Sequence, residues 1–299
     1  STIGHTSDTD LITVADGIVT VAGEVSMTTL DIGGTNVTST AAELNLLDDK
    51  DATNLALVGK QAGTNFANSL LVGHATTGTL NAAEKNTGIG INALNSITTG
   101  DRDTVVGYNA GTSITTGSFS TFIGQEAGKT FSTSSSNTGV GDSALYKSNA
   151  SSNTGIGQNA GYHLTGAENT AVGASAMQST NGSGSAARNT AIGQEAGKGI
   201  TTGNNNIFVG QDCGKNITTG DGNVIIGTVD AASATGDRQL KITGYDGTNT
   251  TNWIIGDSSG NLTFAGTVDS GAITSTGIVT GTGFTAGSAT LAESELELL

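Results

Sequence analysis

Only a few residues in this chain have the types and spacing that enzymes use for catalysis. The segment Gly256-Asp257-Ser258-Ser259-Gly260 fits the G-x-S-x-G pattern of a hydrolase nucleophile. That pattern requires a preceding strand, a following helix and a histidine partner. Here we predict a second strand after the segment, and no histidine lies downstream of it. We therefore interpret these five residues as a hairpin turn.

Two other segments, at 88–93 and 155–160, satisfy the loose dinucleotide-binding pattern G-x-G-x-x-A. A true fingerprint joins a strand to a helix within one βαβ unit. These two segments are instead copies of one short repeat, which leaves no room for that helix. We therefore predict no dinucleotide site.

The other reactive side chains do not indicate a site either. Cys213 occupies a position that alanine fills in the other repeats, so we interpret it as a small buried residue. His74 and His163 lie at different positions of different repeats, without a second ligand at metal-binding spacing. The alternative is a single metal ion on the axis of a trimer, bound by one histidine from each chain. Glu126 and Glu195 recur at equivalent positions, which indicates a solvated face. We predict no enzyme activity, no cofactor and no metal.

Composition narrows the class further. The chain has 299 residues with 46 glycines and no proline, and only 4% are aromatic and 12% charged. A net charge of −15 makes it a poor ligand for nucleic acid or anionic lipid. No apolar stretch approaches the roughly 18 residues of a membrane span. The single tryptophan, Trp253, and four scattered tyrosines do not indicate an aromatic cleft for sugars. These features favour many short strands joined by tight turns.

The elements that position these residues follow from an internal repeat of about 17 residues. An Ile or Val followed by Gly recurs at spacings of 16 to 20 residues, with looser copies at Gly59 and Gly73. We number the positions of each repeat from this glycine, which is position 0. The repeat glycines are Gly90, Gly107, Gly124, Gly141, Gly157, Gly173, Gly193, Gly210 and Gly227.

Each column of the aligned repeats has its own chemical character. Position −1 is always Ile or Val, which predicts a buried strand residue. Position +3 is Ala or Cys, and position +7 is usually large and apolar, so both columns are predicted to lie in the core. Thr-Thr-Gly segments such as 98–100 predict corners at which glycine adopts a positive φ.

Position −4 is always a residue that can hydrogen-bond to backbone in a turn. Stacked copies of such residues predict a ladder of side-chain hydrogen bonds, as in cross-β stacks. The residues at position −4 are Asn86, Asp103, Ser120, Asn137, Asn153, Asn169, Asn189, Asn206 and Asn223.

A smaller side chain in one core column is expected to be matched by a larger one in another column of the same repeat. Leu145 and Met177, at position +4, are interpreted as compensation for the polar Ser148 and Thr180 at position +7 of their repeats. Leu94, also at position +4, has no such counterpart.

A 17-residue unit cannot bury its own apolar columns, whereas stacked units can, which is the logic of a solenoid. Eleven coils at strand spacing predict a rod on the order of 50 Å long. The core of each coil is thin, because it holds about three apolar side chains. We therefore expect several chains to share an axial core.

The two ends of the chain repeat each other. Residues 17–25 match 260–268, and residues 42–47 match 294–299. We therefore predict that the chain is a window on a longer modular polypeptide. Each end module is expected to contain short strands followed by a short helix, at 40–48 in the first copy.

Several of these strings resemble known proteins. The string Thr-Ser-Thr-Ala-Ala-Glu-Leu-Asn-Leu-Leu-Asp at 38–48, after Leu-Asp-Ile-Gly-Gly-Thr at 30–35, resembles modules of bacteriophage tail fibres, particularly those of marine phages. The Asn-Thr-Ala-Ile-Gly unit at 189–193 is similar to the head repeats of trimeric autotransporter adhesins, although the repeat here is longer. The resemblance implies a parallel β-roll of three chains, and neither family supplies catalytic residues that map onto this chain.

Together these observations predict an all-β, homotrimeric fibre with a parallel β-solenoid. The predicted divisions are an N-terminal shaft module at 1–50, the solenoid at 51–228, a β-hairpin region at 229–266 and a second shaft module at 267–299. We expect an extracellular tail-fibre segment of a virion that spans distance and presents a host-binding surface. Its partners would be two further copies, other tail or baseplate proteins and a host cell-surface receptor, without nucleic acid or membrane insertion.

Three alternatives stay open. A bacterial surface adhesin is favoured if an outer-membrane anchor follows residue 299 in the parent polypeptide. An ice-binding solenoid is suggested by the recurring Thr-Thr pairs, although Ser134–Ser136 and other segments interrupt them. A glycan-cleaving tailspike is the least favoured, because the chain has no specific acid pair. The irregular interval from Ser179 to Arg188 is the predicted contact loop.

Overall fold

The computed structural model describes residues 59–74, 77–179 and 185–267, together with the backbone of six short strands outside these ranges. The chain divides into two units, Ser1–Leu57 and Val58–Leu299. Strands and turns make up the described residues, and no helix occurs among them. The helix predicted at 40–48 lies outside the described residues.

The strands are short and numerous. In chain order they are β1 (Ile12–Ala15), β2 (Ile18–Val21), β3 (Leu30–Ile32), β4 (Thr35–Val37), β5 (Gly59–Gly63), β6 (Phe66–Val72), β7 (Ala83–Glu84), β8 (Thr87–Ile89), β9 (Thr104–Val106), β10 (Thr121–Ile123), β11 (Thr138–Val140), β12 (Thr154–Ile156), β13 (Thr170–Val172), β14 (Thr190–Ile192), β15 (Ile207–Val209), β16 (Val224–Ile226), β17 (Leu240–Tyr245), β18 (Thr250–Gly256), β19 (Leu262–Phe264), β20 (Gly283–Ala286) and β21 (Ala289–Ala292). In the first unit β1 pairs with β2, and β3 pairs with β4. In the second unit β20 pairs with β21. All three pairs are antiparallel.

A 15-stranded sheet dominates the second unit, with β5 at one edge and β19 at the other. From β8 to β17 every strand is parallel to the next, and equivalent residues of successive repeats stand side by side. Thr121, for example, pairs with Thr104 on one side and Thr138 on the other. One strand per repeat therefore produces the β-solenoid that the 17-residue period predicts, with about ten coils instead of the eleven expected.

Both ends of the parallel sheet finish in antiparallel strands. At the first end β5 runs antiparallel to β6, and at the other β17, β18 and β19 form an antiparallel meander. Gly73 follows the parallel strand β6 and behaves as a repeat glycine, but Gly59 begins β5. The interpretation of Gly59 as a repeat copy is therefore wrong.

The orientation of the strands differs from the sequence interpretation. Position −2 of each coil faces the interior and is buried, whereas position −1 faces outward and is only partly covered. In β10, Phe122 at position −2 is fully buried while Ile123 at position −1 is 40% exposed. Side chains alternate along a strand, and position −4 is also buried, so position −1 must point away from the core. The prediction that position −1 is buried is therefore wrong.

The other two apolar columns do lie in the core. Position +3 is fully buried in every coil from Ala93 to Cys213. Position +7 is buried at Ile97, Ile114 and Phe131, and again in later coils. The prediction that both columns are internal is confirmed.

The structure also shows how the coils exchange volume. Where position −2 is large, position +4 is glycine, because a Cβ on Gly128 would overlap the ring of Phe122. Where position −2 is glycine, a leucine at position +4 of the same or the preceding coil lies beside it: Leu94 beside Gly88, and Leu145 beside Gly155. Leu94 thus compensates for Gly88, an exchange between positions −2 and +4 that the sequence interpretation missed.

The repeat glycines are required by both conformation and space. All nine have φ between +107° and +138°, a region that L side chains rarely adopt. A Cβ on Gly141 would lie 2.6 Å from the carbonyl oxygen of Gly157 in the next coil. The Thr-Thr-Gly glycines Gly100 and Gly203 do not have positive φ, so that prediction is wrong; they are glycine because a Cβ would overlap a carbonyl of the next coil.

Candidate interaction surface

The outward side of the sheet is the most unusual surface of the described residues. We call it the outer face and define it as positions −3 and −1 of the parallel coils with their partners in β17, β18 and β19. Along position −1 the register connects Val72, Ile89, Val106, Ile123, Val140, Ile156, Val172, Ile192, Val209, Ile226, Ile242, Ile254 and Phe264. The isoleucines at 89, 123, 156 and 192 are 40–44% exposed, so this apolar column faces solvent in the single chain.

Position −3 forms a second column beside the first. Threonine occupies it in every coil from Thr87 to Thr190, Ile207, Val224 and Leu240 continue it, and the register then passes through Gly256 to Leu262 in β19. The outer face is therefore half hydroxyl and half apolar over most of its length and wholly apolar near its end. Neither column contains a charged residue, although the chain carries a net charge of −15.

Inside the coils, position −4 forms the predicted ladder. The Oδ1 atom of one asparagine accepts a hydrogen bond from the backbone N–H of the next, as between Asn206 and Asn223 at 2.8 Å. The amide of Asn206 also donates to the carbonyl of Gly220 at 2.9 Å. Every member from Asn86 to Asn223 is buried, so each bond lies in a site with little water. The ladder thus joins successive coils through side chains as well as through backbone.

Asp103 is the unusual member of this ladder. Its Oδ1 accepts from the N–H of Ser120 at 2.8 Å, but its buried Oδ2 has no hydrogen-bond partner. Burial raises the pKa of this carboxyl from 3.8 to about 7, partly offset by the bond from Ser120. An ionised carboxylate has no proton to donate, whereas the asparagines of other coils do. Asp103 is therefore a weak point of the ladder at alkaline pH.

A row of ion pairs lies in the turn that follows the strand of the coil. Position +2 carries an acid and position +5 a lysine in three coils, giving the ion pairs Glu126–Lys129 at 2.6 Å and Glu195–Lys198 at 2.7 Å, and Asp212–Lys215 at 3.3 Å. These pairs are partly exposed, which agrees with the solvated face predicted for the two glutamates.

Two tyrosines on the same side form a stack that the sequence interpretation missed. Tyr146 and Tyr162, both at position +5 of successive coils, have ring centroids 4.7 Å apart and nearly parallel planes. The Nζ atom of Lys129 lies 5.1 Å from the centroid of Tyr146. Both faces of the Tyr146 ring are therefore occupied within the chain. The stack could have been predicted from the sequence, because both tyrosines occupy the same position of adjacent repeats.

The reactive residues named above occupy structural positions. Residues 256–260 form the turn between the antiparallel strands β18 and β19, where Asp257 accepts hydrogen bonds from the N–H groups of Ser259 and Asn261. The hairpin prediction is confirmed. The segments at 88–93 and 155–160 are each a short strand and turn of a coil, with no helix following.

Cysteine and histidine are likewise held by the backbone. Cys213 is buried, which raises its thiol pKa to about 12, so it is not a reactive thiolate at neutral pH. A ring nitrogen of His74 lies 2.7 Å from the carbonyl oxygen of Ala93, and one of His163 lies 2.6 Å from that of Ser179. Among the described residues no cluster of three or more potential ligands could hold a metal, and no helix could cross a membrane. Residues 180–184, within the predicted contact loop, lie outside the described residues.

Neither a protein-family model, nor a curated protein, nor a solved structure matches this chain. The class is therefore defined by the fold: the chain is a β-solenoid repeat protein with about 17 residues per coil. Its most distinctive surface is the outer face.

Proposed function

We propose that this chain is a structural segment of a homotrimeric viral tail fibre, in which three outer faces pack around a common axis. The observation that supports the proposal is the apolar column at position −1, which continues without a charged residue from Val72 to Phe264. Contiguous apolar surface larger than about 600 Å² is uncommon on monomers, and a long exposed apolar column is typical of sites of association. Repeated exposure of Ile or Val in every coil fits a partner that runs parallel to the whole solenoid.

A second copy of the same chain is the occupant that fits this face best. Its columns have the strand spacing of the solenoid, so only another solenoid of the same rise presents matching residues along the whole length. Three copies place the uncharged faces at the axis and the acidic residues outside, which limits repulsion between chains of charge −15. The resemblance to tail-fibre modules and to trimeric adhesin heads favours three copies over two.

The native mass of the full chain tests this proposal. We expect about three times the chain mass of 29.5 kDa at micromolar concentration. Ile156→Asp places a charge on the outer face and should convert the trimer to a monomer with an unchanged circular dichroism spectrum. Gln158→Asp, at an exposed site two residues along the same coil, is the matched control and should stay trimeric. A monomeric unmodified chain would refute the proposal.

In this function the segment spans distance and carries three copies of any receptor site. Weak binding at each copy then becomes strong attachment through avidity. A bacterial trimeric adhesin would use the same trimer, and an outer-membrane anchor encoded after residue 299 would distinguish it from a virion protein.

Ice binding is the second candidate, because the outer face carries threonine at position −3 in each coil from Thr87 to Thr190. This column is more regular than the Thr-Thr edge that the sequence suggested. An ice-binding face must be free, so a monomeric native mass together with thermal hysteresis would favour this candidate. A trimer without thermal hysteresis would exclude it.

A further inference from the structure

The β17–β18 hairpin carries an open cleft of about 260 Å³. The cleft is lined by Gly244, Tyr245, Asp246, Asn249, Thr251 and Trp253. Trp253 and Tyr245 both line the cleft and are 55% and 53% exposed, in a chain that has few aromatic residues. Exposed aromatic rings beside polar groups are a common composition of ligand sites.

A break in the strand pairing places Trp253 in this cleft. The register of β17 and β18 shifts between Ile242 and Thr243, so Trp253 is an extra residue without a partner in the pairing. Its indole ring lies against Gly244, where a Cβ would overlap the ring. Glycine therefore supports one part of the ring with backbone, while more than half of the residue stays accessible. The result is an aromatic platform that the backbone holds in position.

Polar groups surround this platform in a fixed arrangement. The carboxylate of Asp246 accepts hydrogen bonds from the N–H groups of Asn249 at 2.7 Å and Thr248 at 2.9 Å. These bonds hold the pKa of Asp246 below its usual value, so it is ionised at neutral pH and keeps further acceptor capacity. The hydroxyl of Tyr245 donates to the carbonyl of Gly247 at 2.8 Å, which fixes the second ring. The cleft thus combines the Trp253 ring, which packs on Gly244, with a carboxylate, an amide and a hydroxyl along its lining.

We propose that this cleft binds a saccharide, with a pyranose ring stacked on Trp253. One face of a pyranose presents C–H bonds, which pack on an aromatic ring, while its rim carries hydroxyls. Those hydroxyls can donate to Asp246 and exchange hydrogen bonds with Asn249 and Thr251. The cleft is open and small, so it suits one or two sugar residues at a chain end or branch of a host glycan. The scattered aromatic residues of the sequence gave no indication of this cleft.

The cleft lies beside the outer face rather than on it. The coils turn at the repeat glycine, directly after position −1, whereas β17 and β18 continue past Ile242 to the pair Tyr245 and Thr250. Sugar binding by one chain does not depend on trimer formation. Only the gain from three copies rests on the proposed function, in which each fibre carries three clefts.

Trp253 is the single tryptophan of the chain, so its fluorescence reports on this cleft alone. The full chain is titrated with methyl glycosides of glucose, galactose, mannose and N-acetylglucosamine. The chain is then tested for binding to an array of oligosaccharides. We expect a saturable change in Trp253 emission with a Kd in the millimolar range for the glycoside that fits, and binding to array members that end in that sugar. Choline chloride serves as the contrast, because a carboxylate beside aromatic rings also suits a cation.

Variants locate the binding without relying on fluorescence. Saturation-transfer NMR should show at least a tenfold loss of glycoside binding for Trp253→Ala and for Gly244→Ala, which displaces the indole, with unchanged circular dichroism. Tyr108→Ala, which removes another exposed ring in a different coil, is the matched control and should bind normally. The monomeric Ile156→Asp variant should bind free glycoside normally and lose only avidity on the array. Binding of choline without any saccharide, binding that survives both cleft variants, or no binding at all would each overturn the proposal.

Discussion

The two sides of the solenoid sheet follow opposite rules. On the inner side, position −2 ranges from glycine at Gly88 to phenylalanine at Phe122, and neighbouring core residues such as Leu94 and Gly128 change in size with it. On the outer side, position −1 is always Ile or Val, although it faces solvent in the single chain. Stability of one chain requires the inner side to be filled but places no such demand on the outer side. Position −1 is apolar in every coil although the isolated chain does not require it, and this supports a partner along the outer face.

The largest expected difference between the two sides comes from adjacent residues of β10. Phe122→Ala should lower the free energy of unfolding by about 3–5 kcal/mol, because it opens a cavity in a closely packed core. Ile123→Ala removes a half-exposed side chain and should cost the single chain less than about 1 kcal/mol. Urea unfolding of each variant in the monomeric Ile156→Asp background measures both values. Equal losses would show that the two sides are not different in kind.

A backbone change in the same coil should have the next largest effect. Gly124→Ala forces a non-glycine residue to φ +136° and places its Cβ 2.6 Å from the carbonyl carbon of Gly141. We expect a loss of about 2–4 kcal/mol in unfolding free energy, from strain and from separation of the coils. Gly266→Ala is the control, because nothing lies within 4 Å of a Cβ there. Thermal melting measures the difference. Equal melting temperatures for Gly124→Ala and Gly266→Ala would contradict the requirement for glycine at position 0.

The buried ladder predicts a pH dependence that the outer face lacks. Because the pKa of Asp103 is raised from 3.8 to about 7, its contribution to stability is full below pH 4 and is lost as pH rises through 7. Asp103→Asn restores the donor found in other coils and should remove this dependence. The gain at pH 8 should be on the order of 1–2 kcal/mol.

The measurement for this ladder prediction is the unfolding free energy of both proteins at pH 5 and pH 8. Stability of the unmodified chain should fall between these values more than that of Asp103→Asn. A parallel fall in both would assign the dependence to other groups.

The smallest expected effect concerns the charged side of the coil. Glu126→Gln removes the ion pair with Lys129, but both side chains are partly exposed, so the change in unfolding free energy should stay below about 0.5 kcal/mol. Chemical denaturation at low and high salt measures it. A loss above about 1 kcal/mol would show that this side also carries stability, together with the stack of Tyr146 on Tyr162.

Some of this structure could be predicted from the repeat alone and some could not. Columns of one residue type identified the buried asparagines and the repeat glycines, because identical neighbours stack on one another in a solenoid. The same logic predicted wrongly that Ile123 and its equivalents are buried in the core. An apolar residue on an exposed association surface has the same residue type as one in the core, so the column alone does not distinguish them. Counting alternation from the buried Asn137 would have corrected this. The cleft at Trp253 was beyond prediction, because it depends on a register shift that only the pairing of β17 with β18 reveals.

The antiparallel strands at the two ends of the sheet have a consequence for assembly in the long direction. A solenoid that ended on a bare parallel coil would offer its unpaired N–H and C=O groups to another copy, and chains could then add end to end into fibrils of any length. The strand β5 at one end and the meander β17–β18–β19 at the other replace the coil path with hairpins, onto which a further coil cannot stack in register. A further parallel coil therefore finds no matching coil to extend at either end of this sheet, and the number of coils follows from the number of repeats in the chain.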